Sequence, residues 1–411
     1  MNAWGWSLVS SLVVVFALRR AADIANLSRL KGRLPGELQG LVDESTHGKA
    51  MDYARARLRL GITEECYGFV LLLGFWFIGG FAHWDSVVRS LALGPLPTGL
   101  IYIVGLLWAN DLLGLPFQLH STFVIEARFG FNRTTPRTFV LDKLKAWALS
   151  LVVGGLLLAA MLAFFSYLGS HAWLWAWGFM VGFGLLFQFI TPTWILPLFN
   201  KFSPLGEGEL RTAIFDLANA TAFPLSNVLV MDGSKRSSKS NAFFTGFGRN
   251  KRIALFDTLI AEHTTVELVA ILAHEVGHFK KRHVLIATLL LYLQQGVMLY
   301  LFSVILTQPA ASVAFGLAIP SVYSGLVIFA LLYSPVSSVL GLGLLAMSRR
   351  HEYQADAFAA KAVGGPAALS AALKKLAVTN LSQLDPHPFY VLLNYTHPPL
   401  VSRLRALKCH G

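Results

Sequence analysis

TTVELVAILAHEVGHFKKRH, residues 264–283, carries His274-Glu275-Val276-Gly277-His278 inside a segment that reads as a helix. Thr264 followed three residues on by Glu267 fits a capping box, in which the threonine oxygen takes an orphan N–H and the glutamate reaches back to the cap. On a helix, residues four apart lie on one face, so the imidazoles of His274 and His278 can share one ion. Glu275 stands beside the open coordination position. There a carboxylate can take a proton from water whose pKa the ion has lowered to ~7, which makes Glu275 a general base. Such a pentapeptide also arises by chance, and the rest of the chain has to decide.

With 55% hydrophobic residues, 14% charged residues and a mean hydropathy of +0.57, the 411-residue chain is too apolar for a soluble protein, which carries ~25% charged residues. It belongs in a bilayer. The net charge of +12 suggests nucleic acid in a soluble protein, but here it is the excess of Lys and Arg expected on cytoplasmic loops, and no nucleic-acid partner is expected. Cys66 and Cys409 stand far apart without a CxxC spacing, so neither a disulfide framework nor a cysteine zinc site is indicated. The chain ends Lys408-Cys409-His410-Gly411, with the cysteine third from the end, so the chain is not expected to be prenylated itself. Residues 4–18 lack a preceding basic region and a clear cleavage site, and they read as a first span rather than a signal peptide.

Apolar runs long enough to cross ~30 Å of hydrocarbon recur at about 4–18, 66–84, 99–119, 146–168, 173–199, 284–307 and 319–347, which makes seven spans. Charge supports the count. Segment 19–65, with Arg19, Arg20, Lys31 and Arg33 among its basic residues, is basic, as are 120–145, 200–283 and the tail after Arg349. The intervening loops are nearly bare. The N-terminus is therefore expected outside and the tail in the cytosol. The expected division is five transmembrane helices over 1–199, a cytosolic metallopeptidase segment over 200–283, two more spans over 284–347 and a cytosolic tail over 348–411 that completes the site. The fold class is α-helical multi-pass membrane protein with a small α+β peptidase domain.

Within 200–283, residues 209–222 have helical period, while 227–232 and 252–256 are short apolar, β-branched runs that read as strands. Residues 237–247, closed by Gly248-Arg249-Asn250, complete a small sheet or hairpin expected to lead directly into the metal helix. An exposed edge strand there suits an extended peptide, although an ordinary hairpin has the same signature. Lys280-Lys281-Arg282-His283 is expected to continue without a breaker into the sixth span, which puts the histidines about two turns from a transmembrane helix.

A catalytic zinc usually takes three protein ligands and leaves the fourth place to water. After the seventh span, Glu352 and Asp356 share a helix face: Glu352 completes a two-His, one-Glu set, and Asp356 is placed to accept the free N–H of a ligating histidine. His351 is a rival ligand but points about 100° away from Glu352. The bland alternative is a solvated face paired with Arg349 and Arg350. Near the end, Tyr395-Thr396-His397-Pro398-Pro399-Leu400 and Arg403 form a polar cluster, from which His397 could donate to an oxyanion and Arg403 could bind a carboxylate.

The chain resembles the type I CaaX prenyl endopeptidases, integral-membrane zinc proteases that mature farnesylated and prelamin-like precursors. The stretches that carry the likeness are FVIEARFGFNRTTP at 123–136, PLFNKFSPL at 197–205, DGSKRSSKSNAFFTGF at 232–247, RIALFDTLI at 252–260, HEVGH at 274–278, RRHEYQADAFA at 349–359 and YTHPPLVSRL at 395–404. The resemblance implies seven helices around a large water-filled chamber with the zinc site at its cytosolic end. It also implies His274, His278 and Glu352 as ligands, Glu275 as base, Asn241 beside the substrate backbone, and His397 and Arg403 in support. Phe243 and Phe244 stand where the family often shows tyrosine, and the external loops are short. The HtpX-like membrane peptidases share the site pattern but have fewer spans.

The expected function is therefore hydrolysis, with one zinc per chain, of peptide bonds near the C-terminus of prenylated or other membrane-associated substrates. The expected partners are a peptide or lipidated protein and membrane lipid. A quality-control metalloprotease with the same site chemistry, a zinc-regulated transporter using Asn110, Asp111 and Gln294, and a quiet scaffold are the alternatives. A bacterial inner membrane is favoured over the endoplasmic reticulum.

Overall fold

A computed structural model describes residues 2–30, 43–245 and 251–409. The expected turn at Gly248-Arg249-Asn250, Lys31 and Arg33 of the first basic segment, and the last two residues lie outside these. Six of the described helices are long and apolar enough to cross a membrane: Glu44–Phe77 (α2), Pro95–Glu126 (α4), Pro136–Tyr167 (α5), Gly169–Phe199 (α6), His283–Leu306 (α10) and Val322–Ala362 (α12). The expected first span falls in α1, Ala3–Arg29, whose apolar stretch ends at Arg19 and Arg20, so α1 is not among the six. The expected span at 66–84 is also interrupted: Gly79 turns left-handed at φ 76°, a conformation that suits glycine, and a separate helix α3, Gly80–Arg89, follows.

The small domain begins with β1, Phe202–Pro204, which the sequence reading missed because three residues carry almost no periodic signal. Helix α7 (Glu209–Ala220) and strands β2 (Leu225–Met231), β3 (Ala242–Thr245) and β4 (Lys251–Phe256) follow. The sheet order is β1-β2-β4-β3, with β2 and β4 parallel and β3 antiparallel to β4, so β3 is an edge. Between β4 and the metal helix stands α8, Asp257–Glu262, so the sheet does not feed that helix directly as expected.

Helix α9, Thr265–Lys280, starts at Thr264 with both halves of the capping box formed. Leu268, Leu272, Ala273 and Val276 are almost completely buried, packed with Ile253 and Leu255 of the sheet and Ala359 and Ala360 of α12. Burial of each leucine contributes roughly 1.5–3 kcal/mol, so this core fixes the helix's rotation and thereby where its histidines point. The expectation of an unbroken run into the membrane is wrong. Lys281 closes α9 onto Gly277, Arg282 turns left-handed at φ 57°, and α10 starts afresh at His283. A left-handed non-glycine residue costs roughly 1–2 kcal/mol. Here it turns His283 back toward the histidines of α9.

After a short helix α11, Pro309–Ala314, helix α12 unites the last span and the ligand-bearing tail in one run of 41 residues. At 1.5 Å per residue it is about 60 Å long, twice a hydrocarbon core, so its C-terminal half extends beyond the span. Helices α13 (Ala367–Thr379), α14 (Pro388–Asn394) and α15 (Leu400–Lys408) fold back along it.

Candidate metal and active site

Helices α9 and α12 pack side by side, and Gly277 permits the approach. A Cβ there would lie 3.1 Å from the Cα and carbonyl oxygen of Ala355 and 3.2 Å from Cβ of Phe358. Gly277→Val is therefore expected to push the helices apart, at a cost of about 1–3 kcal/mol, and to lose zinc that Gly277→Ala largely keeps. Metal content and Tm of the two variants check this.

The contact brings His274 and His278 of α9 against Glu352 of α12. The two Nε2 atoms are 3.1 Å apart; His274 Nε2 lies 3.5 Å from Glu352 Oε2, and His278 Nε2 lies 3.3 Å from Glu352 Oε1. The edge of a tetrahedron with metal–ligand bonds of ~2.0–2.1 Å is about 3.3 Å, and each of these separations, though they end on different oxygens of Glu352, is near that length. Two imidazole lone pairs facing each other at 3.1 Å repel unless a cation lies between them. Glu352 Oε2 is buried without a hydrogen-bond partner, as a ligand atom left for a metal would be. Among the described residues, these three form the group of His, Cys, Asp and Glu that could hold an ion.

Arg403 of α15 donates from Nε to Asp356 Oδ2 at 2.8 Å and from Nη2 to Oδ1 at 2.6 Å, a bidentate pair buried on both sides. Asp356 Oδ1 in turn lies 2.8 Å from His274 Nδ1, although that N–H is not aligned for a straight hydrogen bond. Arg403 Nη1 also stands 3.5 Å from Glu352 Oε2. Three carboxylates (Glu275, Glu352, Asp356) against one guanidinium leave two net negative charges, the complement of a divalent cation. Burial lowers the proton affinity of His274, but bonding to Asp356 and Glu352 outweighs it and holds its pKa up at about 9. Burial, with the charge of Glu352 adding to it, pushes the Glu275 carboxyl above its usual range despite the opposing histidines, and a base is most effective when poised nearer neutrality.

His283, Gln354 and His351 were not read from the sequence in their observed positions. His278 Nδ1 and His283 Nδ1 are 3.1 Å apart, and His283 Nε2 is 2.8 Å from Gln354 Oε1. With Nε2 of His278 turned into the triangle, its Nδ1 carries the proton and donates to His283, which donates onward to Gln354. His351 is not a ligand: its ring stacks on His283 at 3.9 Å and 7°. The signal lay in the sequence as a histidine five residues after His278, but only the break at Arg282 turns it inward. His283→Ala is expected to lower zinc affinity 10- to 100-fold with little change in fold, measurable by chelator competition.

A cavity of about 540 Å³ opens on Glu275, His274 and Glu352 and is bordered by Asn241, Ala242, His397 and Arg403. His397 is largely exposed, with Nε2 3.4 Å from Glu352 Oε1 and Nδ1 2.8 Å from the Thr396 hydroxyl. Asn241 precedes the edge strand and borders the cavity; its carbonyl accepts from Phe256 N and its side-chain oxygen from Ala242 N. All eight residues singled out in the sequence thus border one cavity or support its wall.

Residues 23–201 match the family model described as CAAX prenyl protease N-terminal, five membrane helices, and residues 204–410 match Peptidase family M48. The chain is 35% identical to the CAAX prenyl protease 1 homolog of Arabidopsis thaliana, over 98% of this chain and 96% of that one. It is 37% identical to the probable CAAX prenyl protease 1 of Schizosaccharomyces pombe over 92% and 82%. The crystal structure of S. mikatae Ste24p is similar, with a TM-score of 0.92, 32% identity and 99% coverage of each chain.

Proposed function

We propose a function from one premise: the chain belongs to the CAAX prenyl proteases of peptidase family M48. It is an integral-membrane zinc endopeptidase that cuts near the C-terminus of CaaX substrates. The observation that carries the reading is the grouping of His274, His278 and Glu352 beside Glu275, in a cavity bordered by the start of the edge strand β3.

His274, His278 and Glu352 would hold one zinc per chain. When bound, the zinc lowers the pKa of a water and polarises the scissile carbonyl. Glu275 takes the proton from the attacking water and returns it to the leaving amine. His397, largely exposed at the cavity mouth, donates to the oxyanion. Asp356, held by Arg403, orients His274; Asn241 and the β3 edge hold the substrate backbone. The proposed division runs as five membrane helices over 1–199, the peptidase segment over 200–283, two more spans over 284–347 and the completing tail over 348–411, with the N-terminus outside and the tail cytosolic. The preference for a bacterial inner membrane has no support, since the relatives named above are from a plant and a yeast.

The test is cleavage of a farnesylated CaaX peptide and its unmodified form, each with and without a zinc chelator. Cleavage of the farnesylated peptide, lost on chelation and restored by zinc, is expected. Equal cleavage of both peptides would turn the reading toward general membrane quality control, and cleavage that survives chelation would refute it.

A further inference from the structure

The segment that leads into the edge strand β3 is tied to the membrane helices through the side chain of Lys239, three residues ahead of Ala242, where pairing with β4 begins. The Lys239 ammonium lies 4.8 Å from the ring centre of Tyr53, on α2, and 4.5 Å from that of Phe131, which follows α4. It donates to the Tyr53 hydroxyl at 2.6 Å and pairs at 3.1 Å with Oε2 of Glu126, the last residue of α4. Tyr53 in turn donates to Glu126 Oε1 at 2.5 Å, and its ring meets those of Phe129 and Phe131 edge-on, with centroids 5.1 Å apart in both cases. All three rings are buried. The groups of this cage therefore hold one another as well as the ammonium. Two aromatic faces and a carboxylate are the complement of a single cation.

The neighbours of Lys239 carry the constraint toward the site. Its carbonyl accepts from the Thr258 hydroxyl at 3.0 Å. Ser240 is buried; its N–H donates to Asn380 Oδ1 at 3.2 Å and its hydroxyl to Glu262 Oε2 at 2.9 Å. The Asn241 carbonyl then accepts from Phe256 N. Ser240, Asn241 and Ala242 all border the catalytic cavity, so the chain passes from cage to cavity within three residues, ~10 Å in extended form. Strand β3 is only four residues long and pairs along one edge, with β4. Its place over the cavity therefore depends on the residues that lead into it. Through β4 the strand is joined to the core that carries α9 and α12, and through Lys239 it is joined to α2 and α4.

We infer that Lys239 is a positioning residue: seated among Tyr53, Phe131 and Glu126, it sets where the β3 edge lies between the membrane helices and the metal ligands, and hence where a substrate backbone lies. It acts through Asn241 and the strand and touches no reacting atom. The inference rests on the protease reading above and deepens it. A strand edge grips a peptide backbone equally in the ground state and the transition state, so displacing the edge is read mainly in KM. A cage that served folding alone would change Tm and leave the KM of the folded protein untouched.

The test measures kcat, KM, zinc content and Tm for cleavage of a farnesylated CaaX peptide by the wild type, Lys239→Met and Tyr53→Phe. Lys239→Met keeps an apolar stem between the rings and removes the charge, whereas Tyr53→Phe keeps both rings and removes only the hydroxyl. In Lys239→Met, KM is expected to rise about 10-fold, with kcat within about 3-fold of the wild type and zinc content unchanged. Tyr53→Phe is expected to raise KM about 3-fold, as the milder loss. Lys239→Arg, which returns a cation to the two rings, is expected to bring KM back toward the wild-type value. If Lys239→Met fails to fold, Tyr53→Phe decides alone. A lowered Tm with wild-type KM would make the cage a folding device and overturn the inference, as would loss of zinc with wild-type KM. Wild-type KM in both variants overturns this inference and leaves the protease reading standing. Absence of cleavage by the wild type overturns the protease reading, and this inference with it.

Discussion

Glu275→Ala is expected to retain the wild-type metal content and Tm while losing cleavage of the farnesylated peptide by at least about 10³-fold. The retained metal follows from the geometry, since the triangle is made by His274, His278 and Glu352 and Glu275 is not part of it. The lost activity follows from its position, in the same cavity wall as His274 and Glu352 with its carboxyl pushed upward by burial, where a proton acceptor is needed. General acid–base catalysis contributes typically 10²–10⁴-fold, and here one group serves both proton transfers. A variant that keeps zinc and more than a tenth of the activity would remove Glu275 from the mechanism. Such a result would also revive the transporter alternative, for which Glu275 is irrelevant.

Glu352→Ala is expected to lose both zinc and activity, and with them the dependence of stability on metal. Removing this carboxylate leaves two imidazoles from a single helix, which hold zinc far more weakly than three ligands do. It also leaves Arg403 with one carboxylate partner instead of two nearby, so the net charge of the site falls from minus two to minus one. In the proposed site the ligands come from α9 and α12, so metal binding would clamp two helices that α10 separates in sequence. Addition of a chelator should therefore lower the wild-type Tm, by RT ln(1 + [Zn]/Kd) in free energy, and leave that of Glu352→Ala unmoved. Stoichiometric zinc in Glu352→Ala would mean that another residue is the third ligand. His351 is not placed to serve, since its ring is stacked against His283.

The site was legible where chemistry is written in local spacing. His274, Glu275 and His278 follow from one pentapeptide with a capping box ahead of it, and Glu352 with Asp356 follow from one helical turn, because a helix fixes relative direction over four residues whatever surrounds it. The strands β2 and β4 were legible for the same reason, each being a β-branched run between turn residues. Elements whose signal is weaker than the tertiary forces on them were not. The three-residue β1 exists only because β2 offers it an edge, and α1 carries two arginines that blur its apolar length. The break at Arg282 runs against local propensity: nothing in Lys-Lys-Arg-His signals a left-handed residue, and the strain is accepted where His283 meets His278, Gln354 and His351.

What the amino-acid sequence determined by itself was the solvent and the chemistry: an apolar, basic chain for a bilayer, and a histidine–glutamate set for a divalent ion. What only the tertiary structure decided was the assembly of groups far apart in the chain. Gly277 sets how closely two helices approach, and Arg403 reaches Asp356 across 47 positions. Asn26 of α1 exchanges amide hydrogen bonds with Gln383, more than 350 positions away. The physical reason is range. Helix and strand geometry propagate direction over a few residues, whereas the distance between His278 and Glu352 depends on how every side chain between two packed helices fills space, and no short stretch of sequence contains that information.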